Sequence, residues 1–529
     1  MRFVSSGEMR RIDERLMELT KRTSLYLMEQ AGIGAADYIY GIIKGMGFEK
    51  KVILFAGRGN NGGDAFVCAR GLEERNIRTT TFIFAKPGDI KGEVLHHLRK
   101  LFVRTTDLRF ISDPETLQQA LDEVQDVQVG VDGLFGTGLR LPLEYPFDDI
   151  VRAINQHGFR TLVSLDVPTG LNADTGEVNG PCIRADFTLS MGLPKKGFVL
   201  KNALDWVGKL KIINLKIPES LLSSLSVPER LLSFEEMIPL NRRLQCSHKG
   251  DYGRLFIVAG SRGMTGAAIL TTKAALEMGT GLVELGSPES LNGIYETQLL
   301  EAMTHPFPDK GAGHFLLKHK DAIIASLEHA AACVLGPGLS CHPEVAHLIT
   351  ELIEGLKVPV VLDADALNIL EGRLGLLKNS KAPLIITPHP GEMARLTGKT
   401  VQDIQSNRIE SARTCAQQFG LTVVLKGAGS VIASADGQVF VNVTGNPGMA
   451  TGGMGDVLSG IIGGLLAQGV DPLEAAKQGV YLHGRCADRI FYPIERKETM
   501  LASEIVERIS KEFFELETAL TSKRWGGNL

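Results

Sequence analysis

Twice along this chain an uninterrupted apolar run ends in a glycine-containing turn that leads into a helix. VILFAG (52–57) runs into Gly57-Arg-Gly59-Asn-Asn-Gly62, and RLFIVAGS (254–261) runs into a helical pattern over Thr265–Met278. Strands that are apolar on both faces need cover on both faces, which points to parallel sheets layered with helices. The first series continues with strand-like runs at Thr79–Ala85, Val127–Val131, Thr161–Leu165, Ala185–Ser190 and Leu210–Leu215. Ahead of it, Ser5-x-x-Glu8 reads as a capping box opening a helix to about Leu19, and a second helix covers Ser24–Ile43. A helix from about Gly63 to Arg75 follows the glycine turn.

The periodicity fails over 217–244, a segment with three Pro and a Ser cluster, and then restarts. With 529 residues, the chain is also too long for one core, since domains split beyond about 250–300 residues. Two α/β domains are therefore expected, over 1–224 and 235–519. In the second, strands are expected around Val283, Val334, Val360, Ile385 and Val423, with a hairpin joining Val431–Ala433 to Val439–Val443. Helices are expected after Gly455, over 472–489 and over 501–517.

Charge and cysteine content exclude several classes. Net charge is −4, with no basic-aromatic stripe, so neither nucleic acid nor an anionic membrane is an expected partner. The seven Cys form no Cys-x-x-Cys pair, which suits a reducing cytoplasm better than a zinc site or disulfide framework. The N-terminus is charged and lacks a secretory h-region, and no run approaches the ~18 apolar residues of a spanning helix.

Gly57-x-Gly59-x-x-Gly62 has the spacing and context of a dinucleotide fingerprint, yet Asp64 would repel a pyrophosphate. The next strand also ends in Phe84-Ala85-Lys86, with no carboxylate for a ribose. Two further strand ends carry polar groups: Val131-Asp132-Gly-Leu-Phe-Gly136-Thr-Gly138 and Leu165-Asp166-Val-Pro-Thr169-Gly170. Ligands of open α/β sheets bind outside the carboxyl ends of strands, so these ends are expected to converge. Hard oxygen donors without His or Cys suit an alkali or alkaline-earth cation.

GNNGGD (59–64), VDGLFGTGL (131–139) and SLDVPTG (164–170) closely resemble the NAD(P)H-hydrate epimerases, the YjeF N-terminal family, over about residues 1–220. The resemblance implies a Rossmann-like three-layer sandwich that binds the hydrated coenzymes NADHX and NADPHX. It assigns substrate contacts to Asn60, Asn61, Gly62, Gly63 and Asp64, to Gly136, Thr137, Gly138, Leu139, Arg140, Leu141 and Pro142, and to Asp166. It assigns a potassium ion to Asn61, Asp132 and Thr169. Ala65 stands where the family often has Gly, a change expected to tighten the pocket. The hydrate is a hemiaminal at C6, so moving its hydroxyl needs a positioned acid or base. Asp166 is the first choice and Asp64 the second.

In the other half, residues 445–464 hold eight Gly in twenty, ending GMGD456 before an apolar helix. Amides converging at a helix N-terminus stabilise charge on a transferred phosphoryl group, and Asp456 can take the proton of an attacking hydroxyl. Helix packing explains Gly460, Gly463 and Gly464 but not Asp456. Lys426-Gly427-Ala428-Gly429-Ser430 offers a cation and amides, while Asp363 and Asp365 either hold Mg²⁺ or cap a helix. Together with MTGAA (264–268), GPGL (336–339), LDADALN (362–368) and TPHPGEMARL (387–396), these segments resemble the ribokinase-like ADP/ATP-dependent NAD(P)H-hydrate dehydratases, the YjeF C-terminal family, over about 235–515.

Carried across, the hydrate would contact Ala267, Gly338, His389 and Asp456, and the nucleotide Lys426, Gly427, Ala428, Gly429, Ser430 and Gly455. The implied mechanism has Asp456 deprotonate the C6 hydroxyl, which takes the terminal phosphoryl of ADP, leaving AMP. Phosphate then eliminates, with Mg²⁺ shielding the phosphates. The resemblance also implies a dehydratase specific for the S hydrate, with the epimerase feeding it the R form. A cytoplasmic homo-oligomer is expected. Two alternatives stand beside this reading. One is a ribokinase-like kinase of a small vitamin-like alcohol with an N-terminal nucleotide-binding module. The other is a first half that only senses nucleotide or binds protein.

Overall fold

The computed structural model describes residues 1–105, 107–124, 126–139, 141–223, 229–238, 243–491 and 499–525. The chain divides into two compact units, Met1–Leu231 and Leu232–Leu529. Mixed α/β architecture with parallel sheets agrees with the sequence expectation.

In the first unit the strands are β1 (Lys51–Gly57), β2 (Arg78–Phe84), β3 (Leu108–Phe110), β4 (Val129–Gly133), β5 (Thr161–Leu165), β6 (Phe187–Met191) and β7 (Lys209–Ile213). Their order is β3-β2-β1-β4-β5-β6-β7, all parallel. The chain moves outward from β1 to β3 and then returns to the other side of β1, so the order reverses between β1 and β4. Crevices at such reversals, at the carboxyl ends of the strands, are where α/β sheets bind ligands. Ile53 and Phe55 pack with Leu117, Leu121 and Ile150 from the helices Pro114–Glu123 and Phe147–Gln156. The helix Asn60–Glu73 packs on β1 and β4, with Ala65 over Gly133.

Two boundaries differ from expectation in ways that matter. The helix after β1 begins at Asn60 rather than Gly63, with Gly59 as its N-cap. Its first turn closes on the strand end: a Cβ on Gly62 would lie 1.8 Å from the Gly57 carbonyl oxygen. Strand β4 extends to Gly133, which puts Asp132 inside the sheet opposite Ser164 and fully buried. Four hydrogen-bond donors make that burial tolerable, as described below.

A short strand, β8 (Glu229–Leu231), precedes the second unit. That unit contains β9 (Arg254–Val258), β10 (Leu282–Pro288), β11 (Met303–Phe307), β12 (Ala332–Leu335), β13 (Val360–Leu362), β14 (Leu384–Ile386), β15 (Thr422–Leu425), β16 (Ser430–Ala433) and β17 (Val439–Asn442). They run in the order β11-β10-β9-β12-β13-β14-β15-β16-β17, parallel as far as β15 and then antiparallel through the expected hairpin. The order reverses between β9 and β12.

The helix Met454–Ala467 packs on the helix Thr265–Glu277 through its glycines. A Cβ on Gly460 would sit 2.2 Å from the Thr271 carbonyl oxygen, and one on Gly463 2.3 Å from Val334. Gly460→Ala therefore overpacks this contact and is expected to destabilise the second unit by about 1–3 kcal/mol. Gly41→Ala, in the helix Ser24–Met46 where an added methyl meets nothing, is expected to stabilise by up to about 1 kcal/mol. Thermal unfolding of the two variants checks the opposite signs.

Candidate functional sites

At the reversal point of the first sheet lies a cavity of about 780 Å³. The strand-end residues Asn60, Asn61, Asp64, Gly136 and Asp166 line it, together with Thr137, Gly138 and Leu139. Gly62 and Gly63 lie behind this wall, against Gly57 and Met28. Leu141 packs into the core, Pro142 is exposed, neither lines the cavity, and Arg140 falls outside the described residues. Ala65 does not reach the cavity either. Its methyl fills the space over Gly133, so it does not tighten the pocket as expected.

Asn61, Asp132 and Thr169 converge around the backbone of Phe135. Asn61 Nδ2 donates to the carbonyls of Phe135 (2.9 Å) and Leu165 (3.0 Å), and Phe135 N donates to Thr169 Oγ1 (3.1 Å). Asp132 accepts from Thr169 Oγ1 (2.7 Å), Thr169 N (2.9 Å), Ser164 Oγ (2.8 Å) and Leu134 N (3.2 Å). Burial raises its carboxyl despite these donors. Asn61 Oδ1 is buried with no hydrogen-bond partner. An orphaned, buried amide oxygen is a donor of the kind a hard cation takes, here on a residue linked to Asp132 through Phe135 and Thr169.

Asp166 sits just past β5 with φ +60°, an uncommon conformation for a residue with a Cβ. Its amide donates to the Leu189 carbonyl (2.8 Å), and its Oδ1 accepts from Met191 N (3.1 Å) and Lys195 Nζ. Its Oδ2 faces Gly136. Lys195 is 1% exposed and its ammonium also donates to Ser190 Oγ (3.1 Å) and the Met191 carbonyl (3.0 Å), which uses all three protons. Burial, then Asp166 and Asp13, holds Asp64 well above the usual carboxylate range. Sequence reasoning missed Lys195 and Asp13, both of which line the cavity. The strand-end rule that found Asp166 could have found Lys195, four residues past β6.

In the second unit, the ends of β12 to β15 bring together the residues of the second constellation. Lys426 Nζ donates to Asp363 Oδ1 (2.6 Å) and lies 3.9 Å from Glu392 Oε2. Ser459 Oγ donates to Asp363 Oδ2 (2.7 Å). Ser459 stands one helical turn after Asp456, a same-face spacing that sequence reading could have used. A Cβ on Gly455 would lie 3.2 Å from Lys426 Nζ and 3.7 Å from Asp363 Oδ2, so this glycine leaves room for the ion pair. Asp456 is in the first turn of its helix, behind Gly453 with φ +89°. Burial, then Asp363, pushes its carboxyl up to about 7 against the opposing pull of Lys426.

Thr271 Oγ1 donates to the carbonyls of Ala267 (2.9 Å) and Asp456 (3.1 Å), tying two elements of the site. Gly338, with φ +62°, abuts Ala267 and Met264. Asp365 accepts from Ser340 N (2.8 Å) and opens the helix Asp365–Ile369, whereas Asp363 faces Lys426. His389 caps the helix Pro390–Thr397, its Nδ1 accepting from Gly391 N (3.0 Å) and Glu392 N (3.3 Å). Burial, then Lys426 and Arg395, lowers its pKa. Gly427 (φ +134°) and Gly429 (φ +65°) shape the KGAGS turn, with Ser430 Oγ bonded to the Gly427 carbonyl (2.9 Å). Arg408, another residue missed in the sequence, holds that turn by donating to the carbonyls of Leu425, Lys426 and Gly429.

The family described as YjeF-related protein N-terminus matches residues 24–197, and that described as NAD(P)H-hydrate dehydratase matches residues 255–511. The bifunctional NAD(P)H-hydrate repair enzyme Nnr of Moorella thermoacetica is 39% identical over 491 residues, 92% of each chain. Its namesake in Escherichia coli is 34% identical over 436 residues, covering 82% of this chain and 80% of that protein. Among solved structures, the ADP/ATP-dependent NAD(P)H-hydrate dehydratase from Bacillus subtilis, co-crystallized with ATP/Mg²⁺, is 33% identical. It covers 54% of this chain and 98% of its own at TM-score 0.47. With both halves matched and full-length relatives of this identity, the chain belongs to the bifunctional NAD(P)H-hydrate repair enzymes.

Proposed function

We propose that this chain repairs hydrated nicotinamide coenzymes in the cytoplasm: the first unit interconverts the R and S epimers of NADHX and NADPHX, and the second dehydrates the S epimer using ADP. The observation that carries the second activity is Asp456, a half-buried carboxyl at a glycine-bounded helix start beside Lys426 and Asp363. A group titrating near neutrality is suited to accept the C6 hydroxyl proton. Ala267, Gly338 and His389 are the proposed contacts to the hydrate. The KGAGS turn and Gly455 are the proposed contacts to the nucleotide. Asp363, Glu392 and Asp456, which surround Lys426, are the proposed neighbours of a Mg²⁺–nucleotide complex, in which the ion would neutralise phosphate charge. Because the mechanism ends in elimination, no stable phosphorylated alcohol accumulates, unlike the product of a kinase.

For the first unit, the cavity and Asp166 are the proposed binding site and base. Asn61 Oδ1, Asp132 and Thr169 are the proposed holders of potassium, which would offset the buried charge beside the Phe135 turn. At about 100 times its dissociation constant, a bound ion adds about 2.7 kcal/mol to stability. Potassium is expected to raise the unfolding temperature of the chain, and Asn61→Ala to abolish that rise. Differential scanning calorimetry in matched potassium and tetramethylammonium salts reads it.

A mixture of both NADHX epimers, followed at the reduced-nicotinamide absorbance, tests the whole reading. With ADP the full pool is expected to return. Recovery of half would discredit the epimerase, and no ADP-dependent recovery would discredit the dehydratase. Asp456→Asn is expected to slow dehydration by about 10²–10⁴-fold while leaving epimerisation intact. A base must be ionised to act, so dehydration is expected to rise with pH through about 7 and then level off. Lys426 lowers the pKa of Asp456, so Lys426→Met is expected to move that rise to higher pH. A pH–rate profile unchanged by the substitution would argue against Asp456 as the base.

A further inference from the structure

The N-terminal helix Ser6–Thr20 lies before the segment matched to the epimerase family, yet it forms part of the cavity wall. Its position is fixed from several directions. Val4 N donates to the Pro194 carbonyl and Lys196 N to the Val4 carbonyl (both 2.9 Å). Ser5 and Glu8 form a reciprocal capping box, Glu8 pairs with Lys196 at 3.1 Å, and Ser6 N donates to Asp174 Oδ1 at 2.6 Å. Met9, Ile12 and Leu16 are buried. This anchoring joins the helix start to the strand of chain that carries Lys195, and it brings Asp13 into the cavity near Lys195 and Asp166.

Asp13 Oδ1 is buried and has no hydrogen-bond partner, which is costly for an acceptor unless a ligand or proton satisfies it. The groups acting on it are Lys195, Asp166 and, on its own helix, Glu14, while Asp64 faces it from the helix Asn60–Glu73. Burial, opposed by Lys195, pushes the Asp13 carboxyl up to about 6. Asp166 by contrast carries the ammonium of Lys195 directly on Oδ1. Of the carboxyl groups that line the cavity, Asp13 and Asp166 are thus placed in unlike surroundings, an arrangement suited to dividing acid from base.

Resting on the epimerase reading, we infer that Asp13 is a second catalytic residue of the first site, the acid that works with Asp166 as base in opening the hydrated ring. The hydroxyl oxygen on C6 and the ring nitrogen N1 are one atom apart, so a pair of groups on one side of the substrate can serve both. Asp166 takes the hydroxyl proton, the O–H electron pair becomes the second C–O bond of an aldehyde, and the C6–N1 bond breaks. Its electron pair stays on N1, which takes the proton of Asp13. Rotation about C5–C6 turns the other face of the aldehyde to N1. In closure N1 attacks C6, Asp13 recovers its proton from N1, and Asp166 returns its proton to oxygen. Both carboxyls end as they began, so the cycle needs no other reactant.

The test measures epimerisation of purified R-NADHX by the full-length protein, resolving the epimers by chromatography and subtracting the uncatalysed rate. Wild-type protein that does not epimerise would overturn the epimerase reading itself. Given wild-type activity, Asp13→Asn is expected to lower kcat at least 100-fold with KM within about twofold. ADP-dependent dehydration of the S epimer should be unchanged, reporting an intact second unit, while the retained KM reports an intact first one. Asp13→Glu, which keeps a proton donor, is expected to retain more activity than Asp13→Asn. A loss below tenfold, a loss carried by KM, or equal loss in both variants would overturn the role of Asp13. Ring opening leaves the oxygen on the substrate, so stoichiometric incorporation of solvent ¹⁸O at each epimerisation would overturn it too.

Discussion

One ammonium in each unit, buried in the first and largely buried in the second, governs the carboxylates around it. Lys195 is paired with Asp166 just past β5, and Lys426 with Asp363 just past β13. Removing one partner of such a pair strands a buried charge and costs about 3–5 kcal/mol, so each pair holds its strand ends in one arrangement. Other carboxyls lie near each lysine without such a contact among the described residues, including Asp13 and Asp64 in the first unit and Asp456 in the second. Burial raises all three. A single cation among several carboxylates therefore does two jobs: it fixes one strand-end carboxylate in place, and it lowers the cost of ionising the others.

The geometry that allows this comes from the sheets. A parallel strand delivers the residue after its last rung into the space between two helices, where water is scarce and backbone groups are already paired. Polar residues at that position are held by chain direction before any side-chain contact forms. Asp132 shows the limit of the rule. Sequence reading puts it past the end of a strand running to Val131, whereas β4 continues through it to Gly133. Ser164, Thr169 and the Leu134 amide satisfy its oxygens, which lets a carboxylate remain inside the sheet.

The same logic explains what could be read without coordinates. Apolar runs located the strands, and Thr161–Leu165 was legible to the residue because polar or glycine-bearing segments flank it on both sides. The packing role of Gly460 and Gly463 was legible because small residues recur at helical spacing. Contacts between elements distant in sequence were not. Asp13 looks like one more charge on an amphipathic helix, and long-range contacts, among them the pairing of Val4 with the segment around Lys195, turn it inward. Arg408 is similarly opaque: no local pattern announces that its guanidinium will hold the carbonyl of Leu425 and two carbonyls of the KGAGS turn. The extent of the Asn60–Glu73 helix was missed because Asn and Gly are poor helix formers, a propensity overridden by the close approach of Gly62 to Gly57.

The position of Asp456 sets two opposing effects against each other. A helix N-terminus favours a negative charge, usually by 0.3–1 kcal/mol and at most about 2 kcal/mol. Moving a carboxyl from 3.8 to about 7 corresponds to about 4 kcal/mol in the other direction, so burial and the neighbouring Asp363 outweigh the helix end. The balance is useful for the proposed chemistry. A carboxylate at its ordinary pKa would be a weak base toward an alcohol, whereas one near neutrality accepts a proton more readily and remains substantially ionised. The amides of that helix start are then available to the phosphoryl group rather than committed to Asp456. Base and anion site can thus occupy the same turn without cancelling one another, because the helix end stabilises charge that arrives with the nucleotide while burial keeps the resident carboxyl reactive.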